Sequence, residues 1–219
     1  MPSFVTTMLG EDLFQAGNIT GFIAITYQYP LVLALYMIFA VSVPTGLLAG
    51  HVQDGHMELI LSRSVTKNQV YMCACILTLI GMLALVACMF LGTVVGISIC
   101  SFDQDISLWP FFRAAIIGGL LAGSAAGVSL LTAASFRTRA AAVQLAMIFF
   151  VVSYLIDTIA AWWPRAEFLG PISIFYYFDL SRVLIGTTWP IRDMCVLGSV
   201  WIATVIAGSI IWNRRDLPL

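Results

Sequence analysis

The sequence predicts an all-α fold, a polytopic membrane helix bundle of about five transmembrane helices that forms one domain over residues 1–219. Composition is the first observation behind this. Of 219 residues, 61% are hydrophobic and 10% charged, whereas soluble domains are nearer half apolar and a quarter charged, and the mean hydropathy is +0.99. Run length is the second, because five apolar runs reach the ~20 helical residues that cross a hydrocarbon core about 30 Å thick. The third is that charges fall between those runs, with Asp157 the one acidic residue well inside a span. Backbone groups in hydrocarbon have to bond within their own segment, so the runs are read as helices.

In chain order, residues 1–26 are read as an outer interfacial segment, in which Phe4 to Phe14 is either a short interfacial helix with Phe4, Met8, Leu9 and Leu13 on one face or a surface loop. The first span runs from Tyr27 to Leu48, with Pro30 and Pro44 at its ends. Pro44 bends the second of those ends, either as a hinge or as an ordinary membrane-helix kink. Span two, Val70 to Ile99, is longer than a bilayer requires and implies tilt or a protruding end. Span three, Phe112 to Ser135, carries Ala115, Gly119, Gly123 and Gly127 at four-residue spacing, a ridge along which helices approach closely. Gly92 and Gly96 add a similar pair on span two, and such ridges serve packing within one subunit or a seam between subunits. Span four runs from Ala141 to Trp163 and span five from Met194 to Trp212. Between them, 164–192 is an outer loop whose stretch from Ile172 to Ile185, with Phe175, Tyr176, Tyr177 and Phe178, reads as an interfacial helix or a surface loop.

Orientation follows from Lys and Arg in short loops, which cytoplasmic loops retain. Arg63, Lys67, Arg137, Arg139, Arg214 and Arg215 fall on one side, against Arg113, Arg165, Arg182 and Arg192 on the other. This places the N-terminus outside and the C-terminus in the cytoplasm, and the membrane is expected to be the plasma (inner) membrane. Asp157 then lies five residues from Trp162, near the outer interface, either hydrated there or part of a substrate pathway or intersubunit contact.

Several functions are disfavoured. The formal net charge of -1 supplies no basic field for nucleic acid. The first Lys or Arg is Arg63, so the start lacks the positive region of a cleaved signal peptide. Five cysteines (Cys73, Cys75, Cys88, Cys100, Cys195) sit mostly within apolar runs without C-x-x-C spacing, which argues against a metal centre or a disulfide framework. A membrane enzyme built from Asp157 with His51 or His56 would need groups from opposite sides of the bilayer. Asn18-Ile19-Thr20 matches a glycosylation sequon on the outer side.

The longest cytoplasmic loop, 51–69, mixes charges with Met57, Leu59, Ile60 and Leu61. From Gly55 it reads as a short amphipathic helix ending near Ser62, followed by a break and a restart at Thr66. A loop of this kind either rests on headgroups, packs its apolar residues under the bundle, or docks a cytosolic partner. The stretch Asp54-Gly55-His56-Met57-Glu58-Leu59-Ile60-Leu61-Ser62-Arg63-Ser64-Val65-Thr66-Lys67 resembles the cytoplasmic loop of ABC type-2 transporter permeases: an acidic residue, Gly-Thr, an acidic residue, a Leu-rich run, then Pro-Val-Ser-Arg. Here His51, His56 and Ser64 stand where that family often has Glu, Thr and Pro. The ending Trp212-Asn213-Arg214-Arg215-Asp216 and the segment Ile174-Phe175-Tyr176-Tyr177 are similar to that family as well.

The resemblance implies a non-catalytic permease subunit of an ATP-driven exporter, dimeric with a second permease subunit. It implies a coupling loop in which Asp54, Gly55, Glu58, Leu59, Leu61, Arg63 and Lys67 meet a cytosolic ATPase, with Leu59 and Leu61 as apolar anchors. It also implies a six-span parent from which the first helix is missing here. No G-x-x-x-x-G-K-[ST] motif occurs, so ATP and Mg are expected on the partner ATPase and no cofactor on this chain. An ATP-independent channel or scaffold is the alternative.

Overall fold

The computed structural model describes residues 26–27, 29–99, 107–179, 183 and 189–215. Among them the secondary structure is helical throughout, without strands. Five helices are long and apolar enough to cross a membrane: α1 (Pro30–Gln53), α3 (Lys67–Ile99), α4 (Trp109–Ser135), α5 (Arg139–Trp162) and α6 (Ile191–Arg214). A short α2 (His56–Leu61) joins α1 to α3. This is a multi-pass, all-α membrane bundle. The expected segment around Phe4 to Phe14, the sequon at Asn18, Cys100, Arg182 and Asp216 lie outside the described residues.

Every spanning helix extends past its apolar run at one end or both. Proline is accepted in a first turn, where its missing N–H has no intrahelical partner to lose, so α1 begins at Pro30 and α4 at Trp109-Pro110. Polar residues extend the other ends: α1 continues through Gln53, and α5 already begins at Arg139. Hydropathy marks where lipid ends, whereas the hydrogen-bond ladder continues into the headgroup region. His51, Val52 and Gln53, expected in the loop, are therefore the last turn of α1. Below Pro44 the ladder changes to a π-helical turn over Gly46–Gly50.

α4 is the hub. Of its most apolar stretch 78% is buried, against 17% for α3 and α5 and 11% for α6. Small residues make this possible. A methyl carbon added at Gly119 would lie 3.0 Å from Val86 on α3, one at Gly123 would lie 3.3 Å from the Trp201 ring on α6, and one at Gly127 would run into Thr204. The ridge expected from the sequence thus serves packing inside one subunit, with α4 and α6 parallel and in contact on successive turns. Gly92 and Gly96 differ, since nothing lies within 4 Å of either position. The outward faces of α3, α5 and α6 are apolar (Ile76, Leu83, Leu91, Ile148, Val152, Leu155, Ile202, Ile206), which is the surface that lipid solvates.

Two apolar cores stack along the bundle. The larger one centres on Tyr36, Ala40, Phe111, Ile117, Leu121, Phe150 and Leu197. The smaller, at the end that carries Arg63, Lys67, Arg137, Arg139 and Arg215, gathers Leu48, Met57, Tyr71, Leu130, Ala134, Ala142 and Trp212. We call that end the arginine-rich end.

Candidate functional site

At the arginine-rich end, Gly55 decides the course of the chain. Asp54 N–H donates to the Gly50 carbonyl at 2.9 Å, continuing α1. Gly55 then takes φ +73°, the left-handed conformation that closes a helix and that side chains with a Cβ resist. The reversal starts α2 at once and sets the rings of the chain's two histidines, His51 and His56, edge to face at 5.9 Å. At the exit, Thr66 N–H donates to Gln69 Oε1 at 2.8 Å and Gln69 N–H donates to Thr66 Oγ1 at 3.3 Å. This reciprocal capping box fixes where α3 begins.

The six-residue α2 has two faces. Met57 is buried in the small core, and Leu61 is half-buried against it. Asp54, Gly55, Glu58, Leu59 and Arg63 are exposed, and Leu59 retains 69% of its surface, a high value for a leucine within seven residues of three charges. Asp54, Glu58 and Arg63 form no ion pair among the described residues. The expected loop residues therefore separate by role. Leu61 belongs with the bundle, and the outward surface consists of Asp54, Glu58, Leu59 and Arg63.

Lys67 is also turned inward. Its Nζ donates to the Arg215 carbonyl at 2.9 Å, and its own carbonyl accepts from Trp212 Nε1 at 3.0 Å. Arg215 Nη1 donates to the Ala134 and Phe136 carbonyls, each at 3.0 Å, at the open end of α4. Burial, then the neighbouring Arg137 charge, depress the Arg215 pKa. This clasp ties α3, α4 and α6 together beside the loop. Sequence reasoning used the terminal arginines only for orientation and as part of a family-like ending. The signal that distinguishes them is a fully buried tryptophan three residues before Arg215, which only packing reveals.

A second clasp joins α5 to α1. The Arg139 backbone N–H donates to Gln53 Oε1 at 2.9 Å. Its guanidinium lies beside Ser42 and within 4 Å of where a side chain would project from Gly46, and its Cδ lies as close to that of Gly50.

Asp157 lies in the last two turns of α5, half-buried, at the opposite end from the loop and within electrostatic reach of Asp179. Nearby, the connection after α5 folds inward. It forms 3-10 turns at Pro164–Ile172 and Phe175–Tyr177, and Phe175, Tyr177 and Phe178 are buried, where the sequence reading expected an interfacial helix or a surface loop. Ser173 Oγ donates to the Ser153 carbonyl at 2.8 Å, Ile174 N–H donates to Ser153 Oγ at 3.1 Å, and Phe175 N–H donates to Ser173 Oγ at 3.0 Å. Ser153 is nine residues before Trp162, about 14 Å into the bundle at 1.5 Å per residue. Phe178 rests against Gly118, which lies equally far along α4. Arg113 and Asp193 are also buried at this end, 4% and 8% exposed, and each is engaged by its neighbours.

The described cysteines are unpaired. Among the described residues no three His, Cys, Asp or Glu side chains converge as a metal site would need. The chain matches no family model and no curated protein.

Proposed function

We propose that this chain is the membrane-spanning permease of an ATP-driven exporter of the ABC type-2 kind, working with a second permease subunit and a separate cytosolic ATPase that carries ATP and Mg. One observation carries the reading. The loop that resembles the family's coupling segment carries a short two-faced helix, with Met57 and Leu61 turned into the bundle, Glu58 and Leu59 turned out, and Asp54 and Arg63 exposed on either side. An exposed leucine among unpaired charges suits a partner's cleft, where an apolar anchor is ringed by polar contacts.

Both clasps sit beside that loop, so a push on α2 meets α3, α4 and α6 through Lys67 and Trp212, and α5 through Gln53. The arginine-rich end is then the cytoplasmic one, with the C-terminus inside, as the distribution of Lys and Arg favours.

The test is co-purification with a cytosolic ATPase recognised by its own nucleotide motif, and that ATPase's rate with and without the permease. Glu58→Ala with Leu59→Ala is expected to abolish the effect on the rate while leaving the permease folded. Leu61→Ala is expected to lower permease stability first. An ATPase rate indifferent to the Glu58/Leu59 pair would overturn the reading and favour the ATP-independent channel or scaffold.

A further inference from the structure

Between α1 and α5, at the arginine-rich end, lies an open cleft of about 580 Å³. Arg139 and Gln53 form its polar outer rim, Ser42 lies deeper on α1, and Ile38, Val143 and Met147 form apolar walls. From Arg139 to Met147 is eight residues of α5, about 12 Å along the bundle axis. The cleft is therefore polar where the helices leave the hydrocarbon and apolar where they are inside it.

Charge at the rim is one-sided. Arg139 Nη2 makes only long contacts, 3.5 Å to the Ser42 carbonyl and 3.4 Å to Ser42 Oγ. Its remaining guanidinium donors are unused among the described residues. Arg137, just before α5, is exposed but does not line the cleft. No carboxylate pairs with either arginine among the described residues. A guanidinium presents a fork of donors that matches phosphate oxygens, and basic residues placed between helices at the membrane surface favour anionic lipid headgroups.

We infer that this cleft is a binding site for one anionic membrane phospholipid, its phosphate held by Arg139 and an acyl chain lying along Val143 and Met147. A neutral chain would fill the apolar walls but leave the arginine unpaired. A free phosphate would satisfy the arginine but leave the apolar walls empty. The site is built from this chain's own geometry and does not depend on the exporter reading.

The experiment is native mass spectrometry of the detergent-purified, delipidated protein, with phosphatidylglycerol, phosphatidylcholine or inorganic phosphate added. Phosphatidylglycerol is expected to be retained about fivefold better than phosphatidylcholine, the factor that one basic residue near a lipid surface confers. Arg139→Gln is expected to remove that preference and Arg139→Lys to keep most of it. Met147→Trp leaves the arginine in place but fills the apolar wall, and is expected to lower retention of phosphatidylglycerol. Equal retention of the two lipids by the unaltered protein overturns the inference. So does a preference that survives Arg139→Gln, or retention unchanged in Met147→Trp. Displacement of phosphatidylglycerol by millimolar phosphate alone would reassign the rim as a small-anion site.

Discussion

Replacing Gly127 by alanine places a methyl carbon against Thr204 Oγ1, 3.0 Å from Trp201 Cδ1 and 3.2 Å from the Trp201 carbonyl oxygen. The last of these is backbone and cannot swing aside. Thr204 is restrained as well, because its hydroxyl reaches the Val200 and Trp201 carbonyls at 2.8 and 2.9 Å. α4 and α6 must therefore separate, and overpacking of this kind costs about 1–3 kcal/mol. Alanine also gains up to ~1 kcal/mol over glycine as a helix former, which masks part of the cost. Gly96→Ala isolates that gain, since nothing lies within 4 Å of Gly96. The difference between the two variants is expected to be about 2 kcal/mol, or roughly 4–8 °C in midpoint for a chain of this size. Thermal unfolding in one detergent, followed by tryptophan fluorescence, measures it. Gly119→Ala should fall between them, because the Val86 methyl that it meets at 3.0 Å belongs to a side chain that can shift. Equal midpoints for Gly127→Ala and Gly96→Ala would refute the assignment of the α4 ridge to packing within the subunit.

Gly55→Ala meets no neighbouring atom, so its expected cost of ~1–2 kcal/mol is purely conformational; limited proteolysis of 54–66 should speed up, and an unchanged cleavage rate would show that the turn tolerates a Cβ. Trp212→Phe removes the bond to the Lys67 carbonyl, worth about 1 kcal/mol, and hydrogen exchange at 67–70 is expected to rise while that at the centre of α4 does not. Ser153→Ala leaves the Ile174 N–H without its partner, a loss of about 1–3 kcal/mol. A cysteine placed at Ile174 should then label faster with a water-soluble maleimide, and equal labelling in both backgrounds would mean that the serine knot holds nothing down.

The five spans were legible because lipid imposes a minimum run of apolar residues whatever the tertiary contacts. Their ends were not, since Gln53 and Arg139 look like loop residues to a hydropathy scale yet continue their helices. The restart at Thr66 was readable as a break after Ser62, and its cause, the reciprocal bonds of Thr66 with Gln69, is structural. By contrast, Leu59 and Leu61 are the same residue type two positions apart. Only the placement of Met57 in the small core shows which leucine faces out. The aromatic run at 175–178 was the hardest case. Interfacial anchoring and burial inside a bundle select the same residues, and the evidence that separates them, the Ser153–Ser173 knot, joins positions twenty apart. The clasp of Trp212, Arg215 and Lys67 joins still more distant positions, beyond the reach of any local pattern.

The inward fold of 164–178 also bears on biogenesis. Its 3-10 turns leave backbone groups that α-helices would satisfy internally, and an exposed group of that kind costs several kcal/mol in hydrocarbon. The segment cannot settle in lipid alone. It needs the wall that α4 supplies with Gly118 against Phe178 and that α5 supplies with Ser153. The connection also packs against α6, so it reaches its buried position only where α4, α5 and α6 stand together.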